Sequence, residues 1–105
     1  MAISNITAKE LREMINQDEK LVVVDVRTPE EVARGKISGS VNVPLDSIGQ
    51  IVDIIPNKDT KIACYCLSGA RSKLASEIFS DKGYKNIFNL EHGLLEWRMN
   101  NLELV

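Results

Sequence analysis

The sequence is poor in the residues on which several classes of protein depend. It contains only two cysteines and one histidine, so neither a disulfide-rich scaffold nor a histidine-rich metal site is expected. Its longest run of aliphatic residues, 21–24, has four members, whereas a membrane-spanning helix needs about 18 apolar residues. No basic and apolar leader opens the chain. The sequence therefore predicts a soluble, cytoplasmic protein with no membrane partner.

The sequence also has no large excess of positive or negative charge. Thirteen basic and fifteen acidic residues leave a net charge of −2, with both signs interspersed along the chain. This balance argues against a nucleic-acid partner, which would require a basic face. The chain has 105 residues, of which 44% are hydrophobic and 27% charged. We therefore expect residues 1–105 to form a single domain, monomeric by default.

What is present is an alternation of strand and helix patterns. Thr7 with Glu10, and Thr28 with Pro29, have the residue types that begin helices. Helical spacing of apolar residues also marks the segments 45–55 and 74–79 and the chain from Leu94. Strands are predicted over residues 3–6, 21–24, 41–43, 61–65 and 86–90. The order predicts an α/β fold with three α/β/α layers and a mainly parallel central sheet of about five strands.

The loop after the fourth predicted strand carries the residues from which we expect chemistry: Cys66, Leu67, Ser68, Gly69, Ala70, Arg71 and Ser72. Gly69 permits a positive φ, so consecutive backbone N–H groups can turn inward and form an anion-binding nest. The helix that follows directs its N-terminal amides to the same point. We therefore expect a lowered pKa for Cys66, with Arg71 adding positive charge and Ser72 capping the helix and donating toward the sulfur.

Each cysteine also has a plainer explanation. Cys66 could be an inert buried residue, but its position at a strand end before a glycine turn favours a reactive thiol. Cys64 lies two residues earlier and shares the same strand face. A resolving thiol or a disulfide partner would be poorly placed there, because adjacent cysteines on one face of a strand do not approach correctly. We expect Cys64 to be packed in the core.

Three other chemistries compete for the same loop. A cysteine phosphatase or an arsenate-reductase-like enzyme would have five residues between its cysteine and arginine, whereas four separate Cys66 from Arg71. The smaller loop suits a single terminal sulfur better than a phosphoryl group. A Cys-His hydrolase would need His92 as its base, and we interpret that residue as a helix-start or surface residue. The two cysteines and His92 are fewer than the four ligands of a structural metal site and lack its usual spacing, so no metal is expected.

Three segments, in order, resemble the rhodanese family of single-domain sulfurtransferases. Residues 66–72 match the family's Cys-x-x-Gly-x-Arg-Ser loop. Residues 25–31 resemble the family's Asp-Val-Arg segment, and residues 35–44 resemble its segment of Gly-His-Ile-Pro-Gly-Ala followed by Asn-Ile-Pro. Gly93 and Trp97 resemble the family's terminal Gly-Gly…Trp element. The resemblance extends from about residue 4 to residue 98. The departures are Val32, Lys36, Ser38 and His92, and none lies in the cysteine loop.

The resemblance implies a complete reaction. Cys66 would attack the outer sulfur of a small-molecule donor such as thiosulfate and become a persulfide, stabilised by backbone N–H groups of residues 67–72. Arg71 would attract the donor, and a cyanide, thiol or protein acceptor would then take the sulfur. No cofactor is implied. Asp25, Arg27 and Glu31 would form a supporting polar network under the site, although their charges could also simply be solvated.

One alternative within the same fold is a non-catalytic binding or regulatory module. Such rhodanese-like modules typically lack the cysteine, whereas this chain retains it together with its whole loop. The sequence therefore favours the enzyme. It does not identify the donor, the acceptor or the pathway.

Overall fold

The computed structural model describes residues 2–105 and is built around a five-stranded sheet in the order β1-β5-β4-β2-β3. The strands are β1 (Ile3–Ile6), β2 (Val22–Asp25), β3 (Val41–Asn42), β4 (Lys61–Tyr65) and β5 (Asn86–Leu90). Every neighbouring pair is parallel. The predicted α/β class with a parallel sheet is confirmed.

Residues 2–105 also form five α-helices and one 3₁₀ helix, of which all but the last lie between strands. They are α1 (Ala8–Gln17), α2 (Pro29–Ala33), the 3₁₀ helix (Leu45–Gln50), α3 (Ile51–Ile54), α4 (Ala70–Asp81) and α5 (Gly93–Met99). No helix of the described chain has the length and apolar character needed to cross a bilayer.

Capping boxes set two of the helix starts, and the sequence predicts the box of Thr7 with Glu10 and the Thr28 cap of the other. The Thr7 hydroxyl accepts a hydrogen bond from the Glu10 N–H at 3.1 Å, and the Glu10 carboxylate accepts one from the Thr7 N–H at 2.9 Å. Thr28 and Glu31 repeat this exchange at the start of α2, where a proline occupies the first turn. The capping box at Thr7 and the Thr28 cap are confirmed, because such caps depend only on residues three apart, and the structure adds Glu31 as the reciprocal partner of Thr28.

The central strand β4 divides two apolar cores. Ile62 and Cys64 face one core, which includes Phe79 of α4. Ala63 and Tyr65 face the other, which includes Trp97 of α5. Alternate side chains of a strand point to opposite faces of the sheet, so β4 is buried on both sides up to its carboxyl end.

The segment before Pro56 differs from its prediction. The apolar spacing from Leu45 predicts one helix, whereas the chain forms a 3₁₀ helix and then the single turn of α3. Ser47 interrupts the helical geometry with φ −122° and ψ 28°. Ile48, Ile51 and Ile55 are nevertheless buried. The spacing therefore reports correctly which side chains face the core, but not which backbone hydrogen bonds form.

The carboxyl ends of β2 and β4 lie side by side. Asp25, the last residue of β2, is in register with Tyr65, the last residue of β4. Cys66 follows Tyr65 directly, so the cysteine emerges beside Asp25 at the edge of the sheet where ligands of parallel sheets bind.

Candidate active site

Cys66 lies at the centre of a cup made by residues 66–72, the Cys66 loop. The cysteine as a whole is 1% exposed. Gly69 has φ +105°, in the region that favours glycine, and its N–H points back to the Cys66 Sγ at 3.1 Å. Helix α4 begins at the next residue and directs its N-terminal amides to the same sulfur.

The cup favours the charged form of Cys66. Burial alone would raise the pKa of this thiol, because desolvation disfavours a thiolate. Hydrogen bonds between Cys66 and the N–H and hydroxyl of Ser72, and between Cys66 and the N–H groups of Gly69 and Ser68, outweigh that penalty. The net result is a pKa below the ordinary value of 9.0. The thiolate fraction near neutral pH is therefore larger than for a free cysteine.

The prediction that Ser72 caps α4 is wrong. The N-cap is Gly69, and Ser72 lies in the first turn of α4, fully buried. Its hydroxyl donates a hydrogen bond to the Gly69 carbonyl at 3.2 Å and accepts one from the Cys66 thiol at 3.7 Å. The positive φ of Gly69 turns the chain into the helix three residues earlier than expected, which places the Ser72 side chain beneath the sulfur instead of at the helix end.

Helix α5 holds the Cys66 loop from the other side. The Leu94 N–H donates to the Cys66 carbonyl at 3.0 Å, and the Leu95 N–H donates to the Leu67 carbonyl at 3.1 Å. A Cβ placed on Gly93 would lie 2.3 Å from the Leu67 oxygen. In the sequence, only the family resemblance points to Gly93. The start of α5 is distant in the sequence from the Cys66 loop, so no pattern of neighbouring residues predicts that the two segments are in contact.

Gly69 is also closely approached by the chain before α5. A Cβ at Gly69 would lie 1.9 Å from the Glu91 carbonyl oxygen, so we expect Gly69→Ala to displace the loop as well as strain its backbone. Gly83 is a matched control, with φ +98° and open space around its Cβ position. The left-handed conformation alone costs about 1–2 kcal/mol. We expect Gly83→Ala to lose that amount of unfolding free energy, and Gly69→Ala at least about twice as much.

Urea denaturation measures both losses, and iodoacetamide labelling of Cys66 near neutral pH reports the loop. Gly69→Ala should also slow the labelling, since the N–H donors that lower the pKa of Cys66 move away from its sulfur. Equal destabilisation by the two alanine substitutions would contradict the close-approach argument.

Arg71 is held at the rim of the cup by Glu31. Its Nη1 and Nη2 atoms donate to the two Glu31 carboxylate oxygens at 2.6 and 3.0 Å. These bonds, with others from Thr28, outweigh desolvation and lower the pKa of Glu31 to about 2. The Arg71 side chain remains 36% exposed. Arg71 is therefore oriented by a partner 40 residues away, and its guanidinium stays accessible to an incoming anion.

Asp25 and Arg27 form a separate, buried ion pair. The Arg27 Nη2 donates to the Asp25 Oδ2 at 2.7 Å, and the side chains are only 5% and 0% exposed. The same guanidinium donates to the Gly35 carbonyl at 2.7 Å and to the Glu31 carbonyl at 3.4 Å. The three residues predicted as one network thus belong to two ion pairs, Asp25–Arg27 and Glu31–Arg71, and the bond from Arg27 to the Glu31 carbonyl joins these pairs.

The second cysteine is packed away from the cup. Cys64 is fully buried, with its Sγ 3.0 Å from the Ser76 hydroxyl. Burial is the main cause that raises the pKa of this thiol to about 12. Both cysteines are free. Cys64 therefore stays protonated under conditions in which Cys66 ionises, as expected of a core residue.

The remaining candidates lie at the surface. Leu67, Ser68 and Ala70 are exposed, so the mouth of the cup is open to solvent. His92 is exposed at the N-cap of α5, where its Nε2 is 3.6 Å from the Glu91 carboxylate. Within residues 2–105, no group of three or more histidine, cysteine or acidic side chains could hold a metal ion.

Comparison with known proteins gives a consistent result. A family model described as the Rhodanese-like domain matches residues 7–100 of the chain. A protein of Allochromatium vinosum named sulfurtransferase is 33% identical over 103 residues, which cover 98% of this chain and 95% of that protein.

Two solved structures share the fold at similar identity. A rhodanese-related protein from Thermoplasma volcanium is 31% identical, with a TM-score of 0.81 over 96% of both chains. A Rhodopseudomonas palustris protein of unknown function, named as a possible tyrosine phosphatase, is 28% identical. Its TM-score is 0.89, over 99% of this chain and 86% of that one.

Proposed function

The chain belongs to the family of rhodanese-like domains, and a relative that it matches is named a sulfurtransferase. We propose that this chain transfers sulfane sulfur from thiosulfate to a thiophilic acceptor through a persulfide on Cys66. One observation carries this proposal. The Cys66 Sγ is the focus of a ring of donors, with the Gly69 N–H at 3.1 Å and the start of α4 behind it. Such a cup stabilises an anionic sulfur, and the residues at its mouth, Leu67, Ser68 and Ala70, are exposed.

In the first step, the Cys66 thiolate attacks the outer sulfur of thiosulfate. A bond forms between the Cys66 Sγ and that sulfur while the S–S bond of thiosulfate breaks. The electron pair of the broken bond leaves with sulfite. The enzyme then carries a Cys66–S–S⁻ persulfide, and the total charge is the same before and after the step.

In the second step, cyanide or a thiolate attacks the outer sulfur of the persulfide. The S–S bond breaks, its electron pair returns to the Cys66 Sγ, and the acceptor leaves as thiocyanate or as its own persulfide. The enzyme is restored as a thiolate without a metal or an organic cofactor. This two-step exchange is covalent catalysis of the ping-pong type. We assign both steps to the single domain of residues 1–105.

The backbone of the Cys66 loop supplies the electrostatic part of this mechanism. The N–H groups of residues 68, 69 and 72 already lower the pKa of the Cys66 thiol. We expect the persulfide anion, which extends the side chain by one sulfur atom, to be stabilised by the same donors. Loss of one such donor costs about a hundredfold in rate at comparable anion-stabilising sites.

Arg71 attracts the doubly charged donor in this scheme. We expect Arg71→Ala to slow loading by thiosulfate about tenfold or more, because a guanidinium near an anion in a partly buried site contributes well over 1 kcal/mol. Stability should change by less than about 1 kcal/mol, since the Arg71–Glu31 pair is partly exposed.

Stopped-flow loading rates, with urea denaturation alongside, measure both effects. Lys73→Ala is the matched control, because it removes an exposed positive charge two residues further along α4. Loading of Arg71→Ala at the rate of the wild type would contradict the role assigned to Arg71.

The proposal as a whole is tested by intact-protein mass spectrometry after brief treatment with thiosulfate. We expect the protein to gain the mass of one sulfur atom and to lose it on addition of cyanide. A protein with reduced, accessible Cys66 that gains no mass would refute sulfur transfer from thiosulfate. That result would favour the non-catalytic binding module.

A small-oxyanion enzyme is the second candidate, because one structural relative is named as a possible tyrosine phosphatase. The four residues between Cys66 and Arg71 argue against it, since the loop is one residue shorter than that of a cysteine phosphatase. Incubation with an aryl phosphate separates the two functions. Hydrolysis that depends on Cys66 would support the phosphatase.

A further inference from the structure

A cavity of about 200 Å³ opens beside the Cys66 loop and has a marked charge imbalance. It is lined by Arg27, Glu31, Arg34, Leu67 and Arg98. Leu67 directly follows Cys66, and Glu31 is bonded to Arg71 of the same loop. The cavity therefore adjoins the mouth of the cup.

Two of the cavity's three arginines carry uncompensated charge. Arg27 is neutralised by Asp25, and Glu31 is neutralised by Arg71. Arg34 and Arg98 take part in none of the salt bridges formed within residues 2–105. Their two positive charges face a cavity of a protein whose net charge is −2. The imbalance is thus local to this rim.

The fold fixes the backbone positions of both arginines relative to the loop. Arg34 is the C-cap of α2, whose backbone the buried Arg27 guanidinium anchors through the Glu31 and Gly35 carbonyls. Arg98 lies in the last turn of α5, the helix whose first amides hold the Cys66 and Leu67 carbonyls. The two basic side chains therefore flank an exposed leucine on elements that are tied to the reactive loop.

We propose that this cavity binds the carboxylate of a mercaptocarboxylic acid that accepts the sulfur, with Arg34 and Arg98 as the residues that select it. This inference rests on the proposed sulfur transfer and names the class of its acceptor. Guanidinium groups bind carboxylates through paired N–H donors, and Leu67 offers an apolar surface for the acceptor's methylene groups. The volume is below the roughly 300–1,000 Å³ of sites for drug-sized ligands, which suits a short acid.

The transfer to this acceptor balances as a simple exchange. The acceptor's thiolate attacks the outer sulfur of the Cys66 persulfide, a new S–S bond forms on the acceptor, and the enzyme's S–S bond breaks. The electron pair returns to the Cys66 Sγ. The acceptor leaves as a persulfide that still carries its carboxylate, and no oxidant or reductant is consumed.

The test compares two short thiols as acceptors from enzyme that is first loaded to full persulfide. 3-Mercaptopropionate carries the carboxylate, and 2-mercaptoethanol is the neutral reference. The ratio of their discharge rates in each variant is divided by the wild-type ratio, so the different basicities of the two thiols cancel. We expect Arg34→Gln and Arg98→Gln to lower this ratio about threefold each, and the double variant about tenfold.

Lys82→Gln is the control for charge alone. Lys82 is exposed at the C-cap of α4, a helix of 12 residues, and so lies about 18 Å from the Cys66 loop. Its ratio should equal that of the wild type. An unchanged ratio in the double variant, with full persulfide loading, would overturn the proposal.

A binding measurement keeps this test separate from the proposed function. If the wild type forms no persulfide, sulfur transfer itself fails, and the cavity is then tested by titrating reduced protein with 3-mercaptopropionate. Saturating NMR shifts at the amides of Arg34, Leu67 and Arg98, absent in the double variant, would uphold the carboxylate site. The lack of such shifts at tens of millimolar ligand would overturn it.

Discussion

Cys66→Ser is expected to abolish sulfur loading completely. A serine hydroxyl keeps the volume of the site and every N–H donor of the Cys66 loop, but it remains protonated near neutral pH and cannot hold a sulfur as a persulfide. The substitution therefore removes the reacting atom while leaving the cup intact. We expect no detectable gain in mass with thiosulfate and no production of thiocyanate from cyanide.

Cys64→Ala is the matched control, because it removes the other cysteine. The Cys64 thiol is buried, and its pKa is raised to about 12, so it is not a nucleophile at neutral pH. We expect Cys64→Ala to load one sulfur atom like the wild type. Intact-protein mass spectrometry measures both variants. A mass gain in Cys66→Ser, or no mass gain in correctly folded Cys64→Ala, would show that Cys66 is not the only sulfur that takes part in the reaction.

Asp25→Ala is expected to cost about 3–5 kcal/mol of unfolding free energy, the penalty for leaving one partner of a buried ion pair without the other. The Asp25 carboxylate accepts hydrogen bonds from the Arg27 backbone N–H at 3.0 Å and from its guanidinium at 2.7 to 3.2 Å. After the substitution, a guanidinium that is 5% exposed would lack its counter-charge. Such a loss is a large part of the usual 5–15 kcal/mol of a domain.

Asp59→Ala removes a carboxylate from an exposed ion pair and serves as the control. The side chains of Lys85 and Asp59 are 72% and 71% exposed, with 3.5 Å between Nζ and Oδ1. Surface pairs of this kind contribute about 0–1 kcal/mol. Urea denaturation of the two variants should differ clearly. Equal losses of stability would mean that the Asp25–Arg27 pair does not depend on burial for its effect.

Signals carried by neighbouring residues were sufficient for much of the architecture. The capping boxes at Thr7 and Thr28 involve residues three apart, and their partners are present in the sequence itself. The predicted strands over 61–65 and 86–90 agree with β4 and β5 in both boundaries. Alternation of strands and helices then leaves few arrangements other than a parallel sheet covered on both faces.

Local patterns were less informative where tertiary packing chooses between similar conformations. The apolar residues after Leu45 are buried as predicted, yet the backbone forms a 3₁₀ helix before α3. Ser72 has the residue type of a helix cap, but the positive φ of Gly69 starts α4 earlier and turns the serine toward the sulfur. Both differences arise because a residue type permits several roles, and its surroundings select one.

Strand periodicity, helix caps and the cysteine-to-arginine spacing are all short-range properties, so neighbouring residues are enough to predict the fold class and the Cys66 loop. Tertiary packing, by contrast, places Glu31 against Arg71 across 40 positions. It likewise brought the Glu91 carbonyl against Gly69, and Arg34 and Arg98 beside Leu67. Contacts of this kind depend on how helices pack at the sheet edge, and the free energy that selects them is shared among many distant residues.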